Sequence, residues 1–344
     1  MTATQALHGY STRVADLDHD CEAILHAWAD GLQQDGRPRE KLEWYYRHNV
    51  EQAPLVVFLL HGTSSSPVGV ATLAPRGVMH GGQLVMAGLL VDFVVAPEHR
   101  NFFPALFLQR ELRRHGEQRF AILYGVPNRH SEAIVKRLGY RRLGNMTRYA
   151  IVLRSRSYLA CHLPAPLAGL LAMVADPMRH WYDRLRDRAK PARPLEWLAH
   201  PDGRFDALFE NCARAGTVMG ARTARYLQWR LVDGLGGAHR FAVVPGEDGG
   251  LLAYAACLES PSTLAVNDFL VDPAHHGAAH ALWSGLKADA YTRGFPSLSV
   301  ECLAPQPILA SIDAAGLVAR DGVPVYVAGG EGNSWFVTPA DEDM

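Results

Sequence analysis

The sequence predicts an α/β fold, a mixed α+β arrangement of two consecutive domains, each a central, mostly antiparallel twisted sheet flanked by helices. Three observations predict it. Asp92-Phe93-Val94-Val95-Ala96-Pro97-Glu98-His99-Arg100 returns as Asp268-Phe269-Leu270-Val271-Asp272-Pro273-Ala274-His275-His276, with a constant offset of 176. Each copy is followed by a helical stretch, a β-like run and a glycine, Gly139-Tyr140 and Gly316-Leu317. A repeat of roughly half the chain is the size of a domain, not of a solenoid unit. The 344 residues suffice for two domains with separate cores.

The elements follow in order. Tyr10 to Leu32 reads as a strand and then a helix, with Ala23, Ile24, Ala27, Trp28 and Leu32 at helical spacing. Leu42 to Tyr46 is aromatic. Pro54 to Leu60 is a buried-type strand, and the small residues from Gly62 to Pro67 turn it back through Val68 to Leu73. Leu84 to Val95 is a long apolar strand ending at Pro97, and Ala105 to His115 an amphipathic helix. Strands at Phe120–Val126 and Met146–Leu153 flank a helix at Ser131–Leu138. The second half repeats the order. It runs through a helix at Arg204–Ala215, an aromatic stretch at Tyr226–Leu231 and a hairpin at Phe241–Val244 and Leu251–Leu258. A long strand at Leu264–Val271 and a helix at Ala281–Thr292 follow, then Leu298–Leu303, a helix near Ile308–Ala314 and Val323–Ala328. Trp44 corresponds to Trp229 at an offset of 185, the extra residues lying in the longer first hairpin. The boundaries predicted are a first domain over 1–155, a helical linker over 156–195 and a second domain over 196–344.

Composition excludes several classes. Apolar content of 48%, charged content of 20% and a net charge of −1 describe a globular protein with no overall basic field for nucleic acid. No stretch approaches the length of apolar chain that crosses a bilayer, and no signal-type start is visible. Five scattered cysteines point to a reducing compartment, so a cytoplasmic protein is expected. Between the copies, 164–190 has an apolar half (Leu167 to Val174) and a basic half (Arg179, Arg184, Arg186, Arg188). A packed interdomain helix is the preferred reading, with weak contact to a membrane surface as the rival. His276 and His280 sit at i, i+4 but lack a third ligand, so no metal is expected.

The repeated unit carries chemistry. A strand that stops at a proline leaves backbone groups able to bind an amide-containing ligand as though it were another strand. The helix that follows offers free N–H groups and the positive end of its dipole to an anion, and Arg100 adds a cation. Strand edge and helix N-terminus together suit a ligand with a peptide-like arm and a diphosphate, which is coenzyme A.

This layout resembles the GNAT (N-acetyltransferase-like) acyltransferase superfamily, in two tandem copies. The family's phosphate loop, Gln/Arg-x-x-Gly-x-Gly/Ala, is represented by Arg100-Asn101-Phe102-Phe103-Pro104-Ala105, with Phe103 in place of glycine. Its later motif, Asn-x-x-Ala-x-x-x-Tyr-x-x-x-Gly-Phe, is matched at Asn128, Gly139 and Tyr140, with Ser131 for alanine and Val135 for the tyrosine. The resemblance implies acetyl-CoA or another acyl-CoA as co-substrate. The implied cofactor-binding set is Val94, Val95, Arg100, Asn101, Phe102, Phe103, Ala105 and Asn128. In the second copy the loop is slimmer, His276-Gly277-Ala278-Ala279, but the later motif has decayed to Pro305, Ile308, Ile312 and Gly316. The first copy is therefore the favoured donor site.

Acyl transfer to an amine needs a base, an oxyanion donor and an acid for the departing thiolate. Asp92 is the first candidate base and His99 the second; because Asp268 repeats Asp92, a bracing role competes with the catalytic one. Tyr124 and Tyr149 are candidate acids, with satisfied core hydroxyls as the alternative. Expected is transfer of an acyl group from acyl-CoA to a small-molecule primary amine, an amino sugar or amino-acid type acceptor, as in polysaccharide or lipid assembly. The alternative is a non-catalytic acyl-CoA-binding or scaffold protein of degenerate GNAT domains.

Overall fold

A computed structural model describes residues 9–29, 37–155, 195–213, 216–275, 277–330 and 334–343, together with 167, 173, 177 and 178. The first half holds β1 (Tyr10–Val14), α1 (Cys21–Ala29), α2 (Pro38–Lys41) running on into a π-helical turn (Leu42–Arg47), β2 (Leu55–His61), β3 (Gly69–His80) and β4 (Gln83–Val95). A 3-10 turn (Pro97–His99), α3 (Phe102–Gly116), β5 (Ile122–Gly125), α4 (Glu132–Arg137) and β6 (Arg141–Val152) complete it. The second half holds β7 (Glu196–Leu198), α5 (Gly203–Ala213), β8 (Val218–Gly220), α6 (Ala224–Leu227) with its own π-helical turn (Gln228–Val232), β9 (Arg240–Pro245) and β10 (Leu251–Glu259). It continues through β11 (Leu264–Val271), α7 (Ala278–Thr292), β12 (Ser297–Cys302), α8 (Gln306–Ala314), β13 (Val318–Ala328), β14 (Trp335–Phe336) and a 3-10 turn (Pro339–Asp341).

Both halves use the same pairing order. β2, β3 and β4 are successively antiparallel and β4–β5 is parallel; β9, β10, β11 and β12 repeat this. The two sets join into one 14-stranded sheet ordered β1-β2-β3-β4-β5-β13-β6-β12-β11-β10-β9-β7, with β8 and β14 branching from β3. At its centre the halves exchange their last long strands: β13 lies between β5 and β6, and β6 between β13 and β12. Tyr326 of β13 is accordingly buried in the apolar cluster beneath α3, and its hydroxyl donates to Glu132 Oε1 at 2.8 Å. A half taken alone would lose a strand and expose β5 as an edge.

The two π-helical turns meet across this junction. The Trp44 and Trp229 rings are 5.0 Å apart, and Trp44 Nε1 donates to the Trp229 carbonyl at 3.1 Å. The 185-residue correspondence between these tryptophans is thus a contact between the copies. β3 runs beyond the expected end at Leu73, through Pro75. The last β2 pair is Leu55–Leu73, so Pro75 lies past that ladder, where a missing N–H is tolerated. The expected interdomain helix at 164–190 falls outside the described residues, apart from four isolated positions. Among the described residues, no helix is long and apolar enough to cross a membrane.

Candidate active site

The site forms where β4 and β5 part. Their parallel ladder ends at Leu89–Tyr124, and beyond it β4 is paired only with β3. The register on β3 slips between Val70 and Thr72, so Asp92 and Phe93 bulge there. Asp92 has a φ of +46°, the one positive φ outside glycine among the described residues. Bulge and divergence open a cleft of about 170 Å³ lined by Leu90 to Phe93, Gln109 of α3, Val126 to Asn128, Ser131, Ile134 and Val135 of α4, and Asp343. The one-sided β4 edge suits an amide-bearing arm laid alongside it.

The Asp92 side chain is fully buried. Lys41 Nζ lies 2.6 Å from Oδ1 and the Tyr46 hydroxyl donates to Oδ2 at 2.6 Å, so both oxygens are engaged. Burial, reinforced by the Asp343 charge, pushes the carboxyl up to about 6, with Lys41 and Tyr46 opposing. Burial alone would lower Lys41; the carboxylates of Asp92 and Asp343 outweigh it and hold the ammonium above its usual range. Asp268 is embedded in the same manner, with Arg222 Nε at 3.0 Å, the Thr338 hydroxyl at 2.6 Å and the Tyr254 hydroxyl on its other oxygen. The repeated aspartate braces the bulged strand in both copies. Asp343 is the more accessible carboxylate of the cleft, with a third of its side chain exposed. Its Oδ1 lies 3.2 Å from Lys41 Nζ, and its Oδ2 accepts from the Asp92 amide at 3.2 Å.

Of the other expected residues, Val94 and Val95 lie on β4 opposite Val70 and Gly69. Arg100 is exposed and folds Nε onto the Val95 carbonyl at 3.2 Å, at the lip of the β4 edge. Asn101 caps α3, its side-chain oxygen accepting from the Phe103 amide at 3.3 Å, so a phosphate at this N-terminus would have to displace the cap. Phe102 is half exposed, and Ala105 lies in the first turns of α3. The Phe103 ring turns away from the cleft, toward Tyr10 at 6.3 Å and stacked along Phe107 at 6.3 Å. Replacing Phe103 with alanine should therefore cost about 2 kcal/mol, below the value for a wholly buried ring. It should leave CoA binding within twofold, which urea unfolding and titration calorimetry would check. Asn128 accepts from the amides of His130 and Ser131, each at 3.0 Å, and lies on the cleft wall.

The structure does not bring His99 to the cleft. Its Nδ1 is 2.9 Å from the Tyr10 hydroxyl and its ring stands 4.8 Å from that of His61, beside β1. Tyr124 forms the last rung of the β4–β5 ladder but its side chain is buried in the core and does not line the cleft, and its hydroxyl donates to the Asp341 carbonyl at 3.1 Å. Burial, and then the Asp341 charge, hold that phenol well above its ordinary range, so it keeps its proton. Tyr149 lies between β12 and β13 and does not line the cleft. His276 falls outside the described residues, and among those described no three His, Cys, Asp or Glu side chains form a metal-binding group.

Sequence reasoning missed Lys41 and the 334–343 segment; it read Trp44-Tyr45-Tyr46 as core rather than as the wall of an acceptor cleft, and Tyr46 is buried against Asp92. That segment first closes the second copy's equivalent of the cleft. Val337 pairs with Leu303 beyond β12, Phe336 packs edge-on to Phe269 at 5.1 Å, and Thr338 bonds Asp268. It then crosses to the first half. Asp341, buried, receives Arg76 at 2.8 Å on one oxygen and Arg222 on the other. Burial would raise its carboxyl, but the two guanidinium groups outweigh this and hold it low. Gly220 borders the cluster, where a Cβ would come 2.1 Å from Asp341 Oδ1. Glu342 follows, its carboxyl pushed up to about 8 by burial and by the charges of Glu301, Asp343 and Asp341. An acid raised in the native state binds more protons than in the unfolded chain, so its contribution falls as pH rises from about 4.5 to 8. Glu342→Gln should flatten the pH–stability profile in that window, as measured by thermal melts at constant ionic strength.

No family model matches the chain, and no curated protein does. Solved structures do. A GCN5-related N-acetyltransferase from Anabaena variabilis ATCC 29413 aligns with a TM-score of 0.65 at 13% identity, over 94% of this chain and 73% of that one. A conserved Enterococcus faecalis V583 protein, described as a probable N-acyltransferase, gives 0.63 at 13% identity over the same shares. A GCN5-related N-acetyltransferase from Kribbella flavida gives 0.59 at 17%, over 93% and 71%. The chain has the GNAT fold of these N-acetyltransferases.

Proposed function

We propose that the protein transfers an acyl group from acyl-CoA to a primary amine of a small-molecule acceptor, in the β4–β5 cleft of its first half. The observation that carries this is the parted ladder with a bulge at its mouth: it leaves one strand edge and an accessible carboxylate, Asp343, around one space. Closure of the second cleft by residues 336–338 supports the choice of the first. The structural neighbours described as acetyltransferases and as a probable N-acyltransferase support the reaction class.

The thioester arm lies along the open edge of β4, with the donor's diphosphate at Arg100 and the N-terminal turn of α3 once the Asn101 cap is displaced. Asp343 takes a proton from the acceptor's ammonium group, and Lys41 positions it. The amine attacks the thioester carbonyl, and the Asp92 amide, exchanging Asp343 for the carbonyl oxygen, donates to the developing oxyanion. As the C–S bond breaks, the departing thiolate takes a proton from solvent, and Asp343 returns to solvent the proton it took from the amine. Asp92 acts through its grip on Lys41 and Tyr46, not as the base. An amino sugar or amino-acid type acceptor is the preferred class, its ammonium group meeting the Asp343 carboxylate on the cleft wall. The test supplies radiolabelled acetyl-CoA and longer acyl-CoAs with a panel of such amines. Labelled amide product supports the proposal. Tight CoA binding with no product from any amine would make the protein an acyl-CoA-binding module instead.

A further inference from the structure

Two histidines outside the cleft take no part in the reaction above. Tyr10 and His61 are direct cross-strand partners on β1 and β2, so their side chains leave the same face of the sheet, with rings 4.7 Å apart. His99 joins them from the 3-10 turn after β4. Backbone bonds fix that turn, the His99 amide donating to the Ala96 carbonyl and the Asn101 amide to that of His99. The His99 ring stands 4.8 Å from that of His61, and its Nδ1 lies 2.9 Å from the Tyr10 hydroxyl. Among the described residues no carboxylate pairs with either imidazole.

Two imidazoles side by side without an acid between them repel one another as cations, but as neutral rings they form a chelating pair. Rings that share one tetrahedral ion, each nitrogen about 2.1 Å from it, have centres about 5 Å apart, close to the spacing here. When His99 Nδ1 donates to Tyr10, its Nε2 keeps the lone pair a metal needs. An outer oxygen orients ligating histidines in this way. His61 is exposed, so its ring can turn to present a nitrogen and water can complete the shell. Imidazole nitrogen favours late divalent transition metals over magnesium and calcium, which prefer oxygen.

We infer that His61 and His99 bind a divalent transition-metal ion of the zinc class, with Tyr10 holding His99 in the ligating tautomer. A bound ion ties the turn that leads into α3 to the β1–β2 edge. The inference is independent of the acyl-CoA reading. Titration calorimetry on the full chain, first treated with chelator, compares zinc chloride with magnesium chloride. Expected is a zinc site of one ion per chain, weakened about tenfold or more in His61→Ala and in His99→Ala alike, since either change breaks the chelate. The double variant should bind zinc no more weakly than either single variant, because the ion is shared. Zinc should also raise the melting temperature of the wild type but not of the variants. Unchanged zinc affinity in either single variant, or equal affinity for zinc and magnesium, would overturn the assignment. Absence of zinc binding by the wild type would overturn it as well. Should His99→Ala not fold, His61→Ala, at an exposed position, decides between these results.

Discussion

Asp341→Ala should lower stability by about 3–5 kcal/mol, the cost of leaving buried cations without their anion. Arg76 and Arg222, from opposite halves, both lose their shared partner, and each is at most 2% exposed. Arg222 retains Asp268, whereas Arg76 is left with Glu51 at 3.8 Å and the Tyr226 ring 3.6 Å away. The variant also loses the capping box at Thr338. Urea unfolding would show the loss as a reduced midpoint. Glu22→Ala, which breaks an exposed pair with Arg39, should leave it unmoved. The sign with pH is also fixed. Because Asp341 is held below its unfolded value, its stabilisation is full above about pH 4 and declines as acid protonates it. The wild type should therefore lose more stability than Asp341→Ala as pH falls below that point.

Asp343→Asn should reduce kcat about a hundredfold or more while changing KM for acyl-CoA little, since a general base acts on the acceptor's proton and not on donor binding. The shape of the side chain is kept, and its amide oxygen can still accept from the Asp92 amide, which lies 3.2 Å from Oδ2. Steady-state kinetics across pH separates the chemical role from a structural one. The defect should shrink at high pH, where the amine reaches the cleft already deprotonated. A defect of equal size at every pH would exclude Asp343 as the base.

The repeated unit was legible because its signals are local. A strand ending at Pro97, the helix start at Asn101 and the hairpins each depend on neighbours in sequence, and the structure places them within a few residues of expectation. The exchange of β6 and β13 was not legible. Either strand presents the same apolar alternation to its own half as to the other, so pattern alone cannot choose the partner. The long-range members of the site were hidden for a related reason. Lys41 precedes an aromatic turn that reads as core, and Asp341 to Asp343 lie in a short acidic run that reads as solvated surface. Only the fold brings them within hydrogen-bond distance of Asp92 and Arg76. Asp92 itself was found by repetition, and the same repetition foreshadowed its bracing role. Phe103 departs from the phosphate-loop pattern without blocking the cleft, because its ring has an aromatic shelf at Tyr10 and Phe107.

Hydrogen exchange with and without CoA tests most directly whether the first half holds the donor. Binding should protect amides in Leu90–Val95, at the start of α3 and in Asn128–Val135, which line the cleft or its lip, and leave β11 and the start of α7 unchanged. Protection of Leu264–Val271 and Ala278–Ala281, with Leu90–Val95 exchanging as in the free protein, would place the donor in the second half and contradict the assignment.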